Sequence, residues 1–433
     1  MMSSACPSSM LSTSGALALL LDAAKPVKGV ETVPTLDALH RVLAADVTSA
    51  LDVPPMAISA MDGYAVRAAD LAMTQGQPER GLRWPVSQRI AAGHAPQPLA
   101  AGTVARIFTG APLPPGADAI VIQEEAESDA HGVRFAHTPQ AGEWVTPQGA
   151  DIRHGSVTLH AGARLTPQAL GLAASVGCAT LEVTRCVKVA VFFTGDELTM
   201  PGEPLRAGAI YNSNRFTLRG LLANLGCDVT DYGIVPDRLD ATREAVRHAA
   251  AQHDLILTSG GVSVGDEDHV KAAIEAEGHL SMWRIAMKPG KPLAFGAVRR
   301  GNHTNQINDP NDTNDTQRAG EAFFIGLPGN PVSSFVTFVL FVRPFILRLM
   351  GATALHPRIF MLRAGFTRSS SDRRNEFLRA RVNARGDLEL FENQSSAVLT
   401  STLWGDGLID NPPGHMINAG ELVRFIPFSE LLY

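Results

Sequence analysis

The sequence predicts a multidomain α/β protein. It would have a central doubly wound α/β domain, a discontinuous scaffold domain, a small β-rich domain and a C-terminal β-barrel-like domain. Three observations carry this reading. At 433 residues the chain exceeds the size at which one core keeps growing. Two apolar runs of strand length, Lys188 to Phe193 and Asp254 to Thr258, each end abruptly in a polar, glycine-containing turn. Between them Arg215 to Leu225 has helical spacing, with Phe216, Leu218, Leu221, Leu222 and Leu225 on or near one face, and Gly226 stops it.

The other elements follow from punctuation along the chain. The serine-rich first ten or so residues read as disordered. Ala16 to Leu21 is apolar, but no basic residue precedes it and Asp22 ends it, which predicts an amphipathic helix capped near Ser12 or Ser14, not a secretion signal. No run of about 18 apolar residues is present, so no membrane span is expected. Residues 51 to 66 place two prolines before a polar turn at Asp62-Gly63, the mark of a linker. Short strands broken by glycine and proline then run to about Gly149, including Ala105 to Gly110 and Ala119 to Ile122. Residues 165 to 178 read as a helix capped by Thr166 with Pro167 in its first turn, returning the chain to the scaffold. The predicted divisions are 10–52 with 153–184 for the scaffold, 53–152 for the small β-rich domain, 185–352 for the central domain and 353–433 for the last. Residues 301–319 are polar and of low complexity between the strands Pro292 to Val298 and Ala322 to Ile325, and read as a disordered hairpin insertion. An apolar helix, Val332 to Met350, and alternating strands such as Leu388 to Phe391 and Leu422 to Ile426 complete the chain.

Composition bounds the function. Hydrophobic content of 45% and charged content of 18% describe a soluble globular protein. A net charge of −6 excludes general affinity for nucleic acid, so an anionic ligand must be held locally. Cys6, Cys178, Cys186 and Cys227 lack metal-ligand spacing, which argues against zinc and disulfides and for a cytoplasmic location.

The chemistry gathers where strands end. Lys188 to Phe193 runs into Thr194-Gly195-Asp196-Glu197-Leu198, and the second strand runs into Ser259-Gly260-Gly261 before a helical stretch from Val270. Backbone N–H groups of a glycine turn at a helix start suit a phosphate. Glu197, Asp237, Asp266 and Asp268 each follow a predicted strand and would converge on one sheet edge. Converging carboxylates repel unless a cation neutralises them, and hard oxygen ligands suit Mg²⁺ bridging a phosphate.

Six motifs in order then make a specific resemblance. They are Ser59-Ala60-Met61-Asp62-Gly63-Tyr64-Ala65, Thr109-Gly110-Ala111-Pro112, Thr194-Gly195-Asp196-Glu197-Leu198, Ser259 to Gly265, Met287-Lys288-Pro289-Gly290-Lys291-Pro292, and Leu327-Pro328-Gly329-Asn330-Pro331-Val332-Ser333. The chain resembles the MoeA family, related also to the E domain of gephyrin, over roughly residues 12 to 430. The resemblance implies a molybdopterin-binding type of central domain and insertion of molybdate into adenylylated molybdopterin with release of AMP. Glu197, Asp237, Asp266 and Asp268 would then hold the metal, with Glu197, Asp237 and Asp268 also catalytic. Asp62, Thr109 and Asp151 would be catalytic residues facing the other subunit of a homodimer. Gly260, Gly261, Ser263, Lys288, Lys291, Pro328, Asn330, Pro331 and Ser333 would bind substrate. Arg374 and Ser396, with Arg379 as an alternative, would contact molybdate. A molybdopterin adenylyltransferase and molybdoenzyme chaperones are implied partners.

Two segments depart from the family pattern. Met56-Ala57-Ile58 stands where a Phe-Asp-Asn type triplet is usual, and Trp144 to Asp151 lacks the usual arginines and has Ala150 in place of a glutamate. These changes predict a functional enzyme with a modified substrate entrance. The competing readings are a CinA-like nucleotide hydrolase, the partner adenylylation activity, and a catalytically silent pterin-binding scaffold. The CinA-like group should lack the Ser-Ala-Met-Asp-Gly-Tyr-Ala and Pro-Gly-Asn-Pro motifs, the extra domains argue against adenylylation, and the acidic set argues against silence.

Overall fold

The computed structural model describes residues 10–73, 82–261, 269–301 and 320–432. The N-terminal ten-residue reading, the 301–319 insertion and the predicted site residues Ser263, Asp266 and Asp268 therefore fall wholly or largely outside the described residues.

A six-stranded sheet forms the centre, in the order Asp228–Ile234, Lys188–Phe193, Leu255–Ser259, Glu321–Leu327, Pro292–Arg299, Gly278–Arg284. The first four strands run parallel, Pro292–Arg299 runs against them and Gly278–Arg284 runs with them again, so the sheet is mixed where the sequence predicted a parallel one. The reason is local: Pro292–Arg299 and Glu321–Leu327 pair as the two arms of one hairpin, Ala294 opposite Gly326 and Arg299 opposite Glu321.

Side chains alternate between the two faces of these strands, as a pleated backbone requires. Val189, Val191 and Phe193 enter one core with Leu255, Leu257, Ile325 and Leu327, while Ala190, Phe192, Ile256 and Phe324 enter another. The first core is closed by helices Thr13–Ala23, Ser213–Leu225 and the long helix Pro331–Leu349. The second is closed by Leu239–Gln252 and His269–Glu277. Helices on both faces make the sheet doubly wound.

The helix predicted at Arg215 begins at Ser213, where the Asn212 side chain accepts from Arg215 N–H at 3.1 Å, and ends at Gly226 in the left-handed conformation. Leu218, Leu221, Leu222 and Leu225 are buried, but Phe216 is 58% exposed and does not belong to the apolar face. Position 216 is displaced from the stripe of the four leucines by the helical period. Ser12 and Thr166 cap their helices as expected. Pro331–Leu349, the apolar helix expected at Val332 to Met350, is 19 residues long and apolar enough to cross a membrane by length and composition, but 89% of its most apolar window is buried within the fold. Its middle, Phe338–Val342, is wound as a π-helix just before Pro344, which has no N–H to give the carbonyl four residues earlier.

Val30–Pro34 pairs with Thr180–Thr184, and Val47–Thr48 with Val157–Leu159, around a separate core that includes Leu43, Leu165 and Val183. Between these passes lies a four-stranded sheet, Val86–Ile90, Val104–Ile107, Gly63–Val66 and Ala119–Ile122. A Cβ on Gly63 would sit 2.1 Å from the Val121 carbonyl oxygen, so its glycine serves close strand approach, not the turn that the sequence predicted.

The C-terminal sheet runs Met287–Lys288, Asn375–Val382, Gly407–Asn411, Leu422–Pro427, Phe360–Arg363, with Leu388–Leu390 beside Asn375–Val382. The strand order is open among the described residues, but Ala364, just past Phe360–Arg363, bridges Leu388 and Gly365 N–H donates to the Leu388 carbonyl at 2.9 Å, so the sheet curls back in a barrel-like way. Its first strand, Met287–Lys288, comes from a loop of the central unit.

Leu222→Ala should cost about 2–5 kcal/mol, because Leu222 is wholly buried in the first core. Phe216→Ala should stay within about 0.5 kcal/mol. Denaturant unfolding of the two variants checks this face assignment.

Candidate functional site

The chain order reverses on either side of Lys188–Phe193: the chain passes first to Asp228–Ile234 on one side, then to Leu255–Ser259 on the other. Ligands of open α/β sheets bind in the crevice at the carboxyl ends of the strands flanking such a switch. The loops Thr194–Glu197 and Gly260–Gly261 meet there. A Cβ on Gly260 would lie 2.6 Å from the Thr194 carbonyl oxygen, and one on Gly261 would lie 2.7 Å from the Thr194 hydroxyl and 2.5 Å from Val270. Both glycines have positive φ, +97° and +63°, so conformation and space each demand glycine.

The third wall is the turn before the long helix. Ser259 Oγ donates to the Pro328 carbonyl at 3.0 Å, and Asn214 Nδ2 donates to Ser259 Oγ and to the Gly329 carbonyl, each at 2.8 Å. Asn330 precedes the helix and Pro331 opens it; Ser333 is buried in its first turn. Val332 N–H donates to the Ser396 carbonyl at 3.0 Å, which brings the C-terminal unit to this helix start. Gly290, at φ +99°, lies so close to the same helix that a Cβ would be 2.6 Å from Thr337 Oγ1. The loop bearing Lys288 and Lys291 is thereby fixed against it.

Lys288 and Arg374 both reach Asp372, within a charge network that sequence reading missed. Arg374 donates from Nε and Nη2 to the two oxygens of Asp372 at 2.9 and 2.8 Å. Lys288 Nζ lies 3.4 Å from Asp372 and 3.2 Å from Glu376, and Arg368 Nη2 donates to the same Glu376 oxygen at 2.7 Å. Glu376 is completely buried. The guanidinium of Arg374 holds the Asp372 carboxyl far below the usual carboxylate range. Lys291 is exposed and makes no ion pair among the described residues. Arg379, the alternative to Arg374, is 1% exposed and spends its donors on Ser401 Oγ and the carbonyls of Phe377 and Ser395, so it supports the Ser395-Ser396 loop and faces no ligand. Burial pushes its guanidinium down to about 10.

Glu197 is exposed and its carboxylate folds back over Gly195, where a Cβ would be 2.5 Å from Oε2. Asp237 is half-buried just beyond the neighbouring strand, whose Ile234 pairs with Phe193. Neither carboxylate has an ion-pair partner among the described residues, and no three acidic, His or Cys side chains there form a metal cluster. The Thr194 hydroxyl beside them is buried without a hydrogen-bond partner among the described residues. Two carboxylates and an unpaired hydroxyl at one sheet edge are hard oxygen donors, which fits a cation such as Mg²⁺ completing its shell with water and phosphate oxygens.

Asp62 and Thr109 are paired: Asp62 Oδ1 accepts from Thr109 N–H and Oγ1, both at 2.7 Å, which lowers the Asp62 pKa. Arg106 stands nearby, its guanidinium 4.7 Å from the Phe108 ring. Asp151 is exposed. No hydrogen bond or ion pair joins Asp62, Thr109 or Asp151 to the sheet-edge groove among the described residues. A cavity of about 1030 Å³ lined by Tyr232, Arg247, His248 and Glu277, among others, contains none of the predicted site residues.

Fold and groove together define a doubly wound α/β protein with a glycine-lined crevice at its topological switch point, joined to further β-rich units. Residues 11–177 match the model of the MoeA N-terminal region (domain I and II), 190–348 the "Probable molybdopterin binding domain", and 362–428 the MoeA C-terminal region (domain IV). The molybdopterin molybdenumtransferase of Haemophilus influenzae is 37% identical over 405 residues, covering 92% of this chain and 93% of the relative. That of Synechococcus elongatus is 34% identical over 398 residues, covering 90% and 93%. A molybdopterin biosynthesis moeA protein structure from Pyrococcus horikoshii OT3 has a TM-score of 0.78 at 26% identity, covering 97% of this chain and all of that one. The chain belongs to the MoeA family of molybdopterin molybdenumtransferases.

The Asp62 pair makes a pH prediction. A carboxyl whose folded pKa is depressed contributes stability above its unfolded pKa, which is lost as pH falls through the folded value. In an NMR titration Asp62 should titrate below the ordinary aspartate range, and Thr109→Val should move it back toward that range.

Proposed function

We propose that this chain is the transferase that inserts molybdate into adenylylated molybdopterin and releases AMP in molybdenum cofactor biosynthesis. The observation that carries the reading is the meeting of two chemistries along one groove. A glycine-lined strand-end turn suits a phosphate, and it is joined through the Pro328–Ser333 turn to a cationic cluster suited to an oxyanion. Family membership supports the same reaction, since curated relatives covering most of the chain carry that activity in their names.

Gly260 and Gly261 let the turn pack closely against Thr194 and Val270, and this strand-end turn is assigned to the substrate phosphate. Pro328, Asn330, Pro331 and Ser333 shape the wall beside it. Lys288 and Arg374 hold molybdate, with Lys291 and the Ser396 loop at the margin. Glu197 and Asp237, joined in this assignment by Asp266 and Asp268, would hold Mg²⁺. The cation, when bound, neutralises charge developing on the phosphates as the pyrophosphate bond breaks. Ser263 is assigned to the substrate side on the resemblance.

We assign the chain to a homodimer in the cytoplasm. Asp62, Thr109 and Asp151 would complete the groove of the partner subunit, a reading that rests on the family resemblance. The strand pairings of residues 30–48 with 157–184 support the discontinuous domain division. Met56-Ala57-Ile58 and the Trp144–Asp151 segment lie beside the Asp62 bend, where Val145 pairs with Ser59 and Thr146 with Ile58, and would modify the substrate entrance.

Purified protein should release AMP from adenylylated molybdopterin only when molybdate and Mg²⁺ are both present. Glu197→Ala should lower that rate at least about 100-fold, the equivalent of about 3 kcal/mol of lost charge stabilisation. Substrate binding without AMP release by the unaltered chain would favour a silent scaffold. Mixing inactive Glu197→Ala and Asp62→Asn subunits should restore up to about a quarter of wild-type activity, because half the dimers then carry one intact site. No recovery would place Asp62 outside the partner's groove.

A further inference from the structure

Three cations, Lys288, Arg368 and Arg374, surround two carboxylates, Asp372 and Glu376, and the two carboxylates are held very differently. Glu376 is wholly buried and takes Lys288, Arg368 and, at 3.5 Å, Asn411 Nδ2, so it cannot leave without stranding a charge in the core. Asp372 keeps 20% of its side chain exposed and is gripped by a residue only two positions away. Its main chain is pinned separately, by Gly414 N–H donating to the Asp372 carbonyl at 2.7 Å. Rotation of one side chain would therefore free Arg374 and one side of Lys288, giving up the Arg374 N–H bond to Asp372 Oδ1 at 3.0 Å while the Asp372 carbonyl stays held.

What Asp372 now satisfies is the donor pattern of an oxyanion. A guanidinium fork makes two parallel N–H···O bonds to a carboxylate, and it makes the same pair to a tetrahedral oxyanion. Resting on the molybdate-site reading above, we propose that Asp372 is a specificity-determining residue. Its carboxylate occupies the oxyanion position at Arg374 and Lys288 and must swing aside before molybdate binds.

The exchange sets a threshold of charge. With Asp372 in place the five groups sum to +1, and without its charge they sum to +2. A monoanion that displaces Asp372 replaces one negative charge with another and gains nothing electrostatically. A dianion brings one charge more than the group it displaces. The site therefore selects doubly charged tetrahedral anions over singly charged ones of the same shape.

The test uses the full chain with molybdate and with perrhenate, a tetrahedral monoanion, in separate titration calorimetry experiments. Asp372→Asn removes the charge but keeps an acceptor for the Arg374 N–H, which now bonds Asp372 Oδ1 at 3.0 Å, so the turn should persist. The variant should bind molybdate on the order of tenfold more tightly. Perrhenate should gain by the same factor, because both anions displace the same group, so a monoanion that the wild type holds too weakly to register becomes measurable. Adding Arg374→Lys, which keeps the charge but loses the fork, should reverse the gain. Unchanged or weaker molybdate binding by Asp372→Asn, with the wild type binding normally, overturns the threshold and leaves the molybdate site standing. Failure of both proteins to bind molybdate overturns the site and the threshold together.

Discussion

The buried Glu376 carboxylate is the constraint on which the groove depends. An unpaired charge in a core costs several kcal/mol, so Glu376 needs cations wherever the chain can bring them. One comes from Arg368 in its own unit and the other, Lys288, from a loop of the central unit. Lys288 arrives because Met287–Lys288 adds as a parallel edge strand, with Met287 opposite Asn375 and Lys288 opposite Glu376. Pairing a buried acid thus fastens the C-terminal sheet to the central sheet and sets a lysine beside Arg374.

In the proposed reaction the same joint would align two sites with separate origins. The phosphate side is a property of the doubly wound sheet, built where chain order reverses at Lys188–Phe193. The oxyanion side belongs to the junction between units. The helix opened by Pro331 touches both: Gly290 packs against it, Ser396 accepts from its first turn, and Asn214 ties the preceding turn to Ser259. A reaction that joins a nucleotide-bearing substrate to an oxyanion needs such a common wall, because orientation of two reactants supplies much of the rate.

Much of this was legible in the sequence. The run Lys188 to Phe193 announced a buried strand because both of its faces are apolar, and the glycines at 260 and 261 announced a turn that tolerates no side chain. Lys288 and Arg374 were legible through the family resemblance. Asp372, Glu376 and Arg368 were not: in sequence they read as ordinary surface charges, and only the pairing of strand Asn375–Val382 with a loop almost ninety residues earlier buries one of them. Arg379 was ambiguous for the same reason: it shares a strand face with Arg381, two residues on, yet only Arg379 is covered, which spacing alone does not tell. The strand order of the C-terminal sheet and the antiparallel hairpin likewise depend on partners remote in sequence or on chain reversal that periodicity does not encode.

The central claim is that the Lys288–Arg374 junction holds the oxyanion. Crystals soaked in tungstate, whose anomalous scattering locates the metal atom directly, test it. The account predicts a tungsten peak within reach of Lys288 and Arg374, with the Asp372 side chain turned away. A peak only at the Thr194 and Gly260 strand ends, or on unrelated surface arginines, would contradict it.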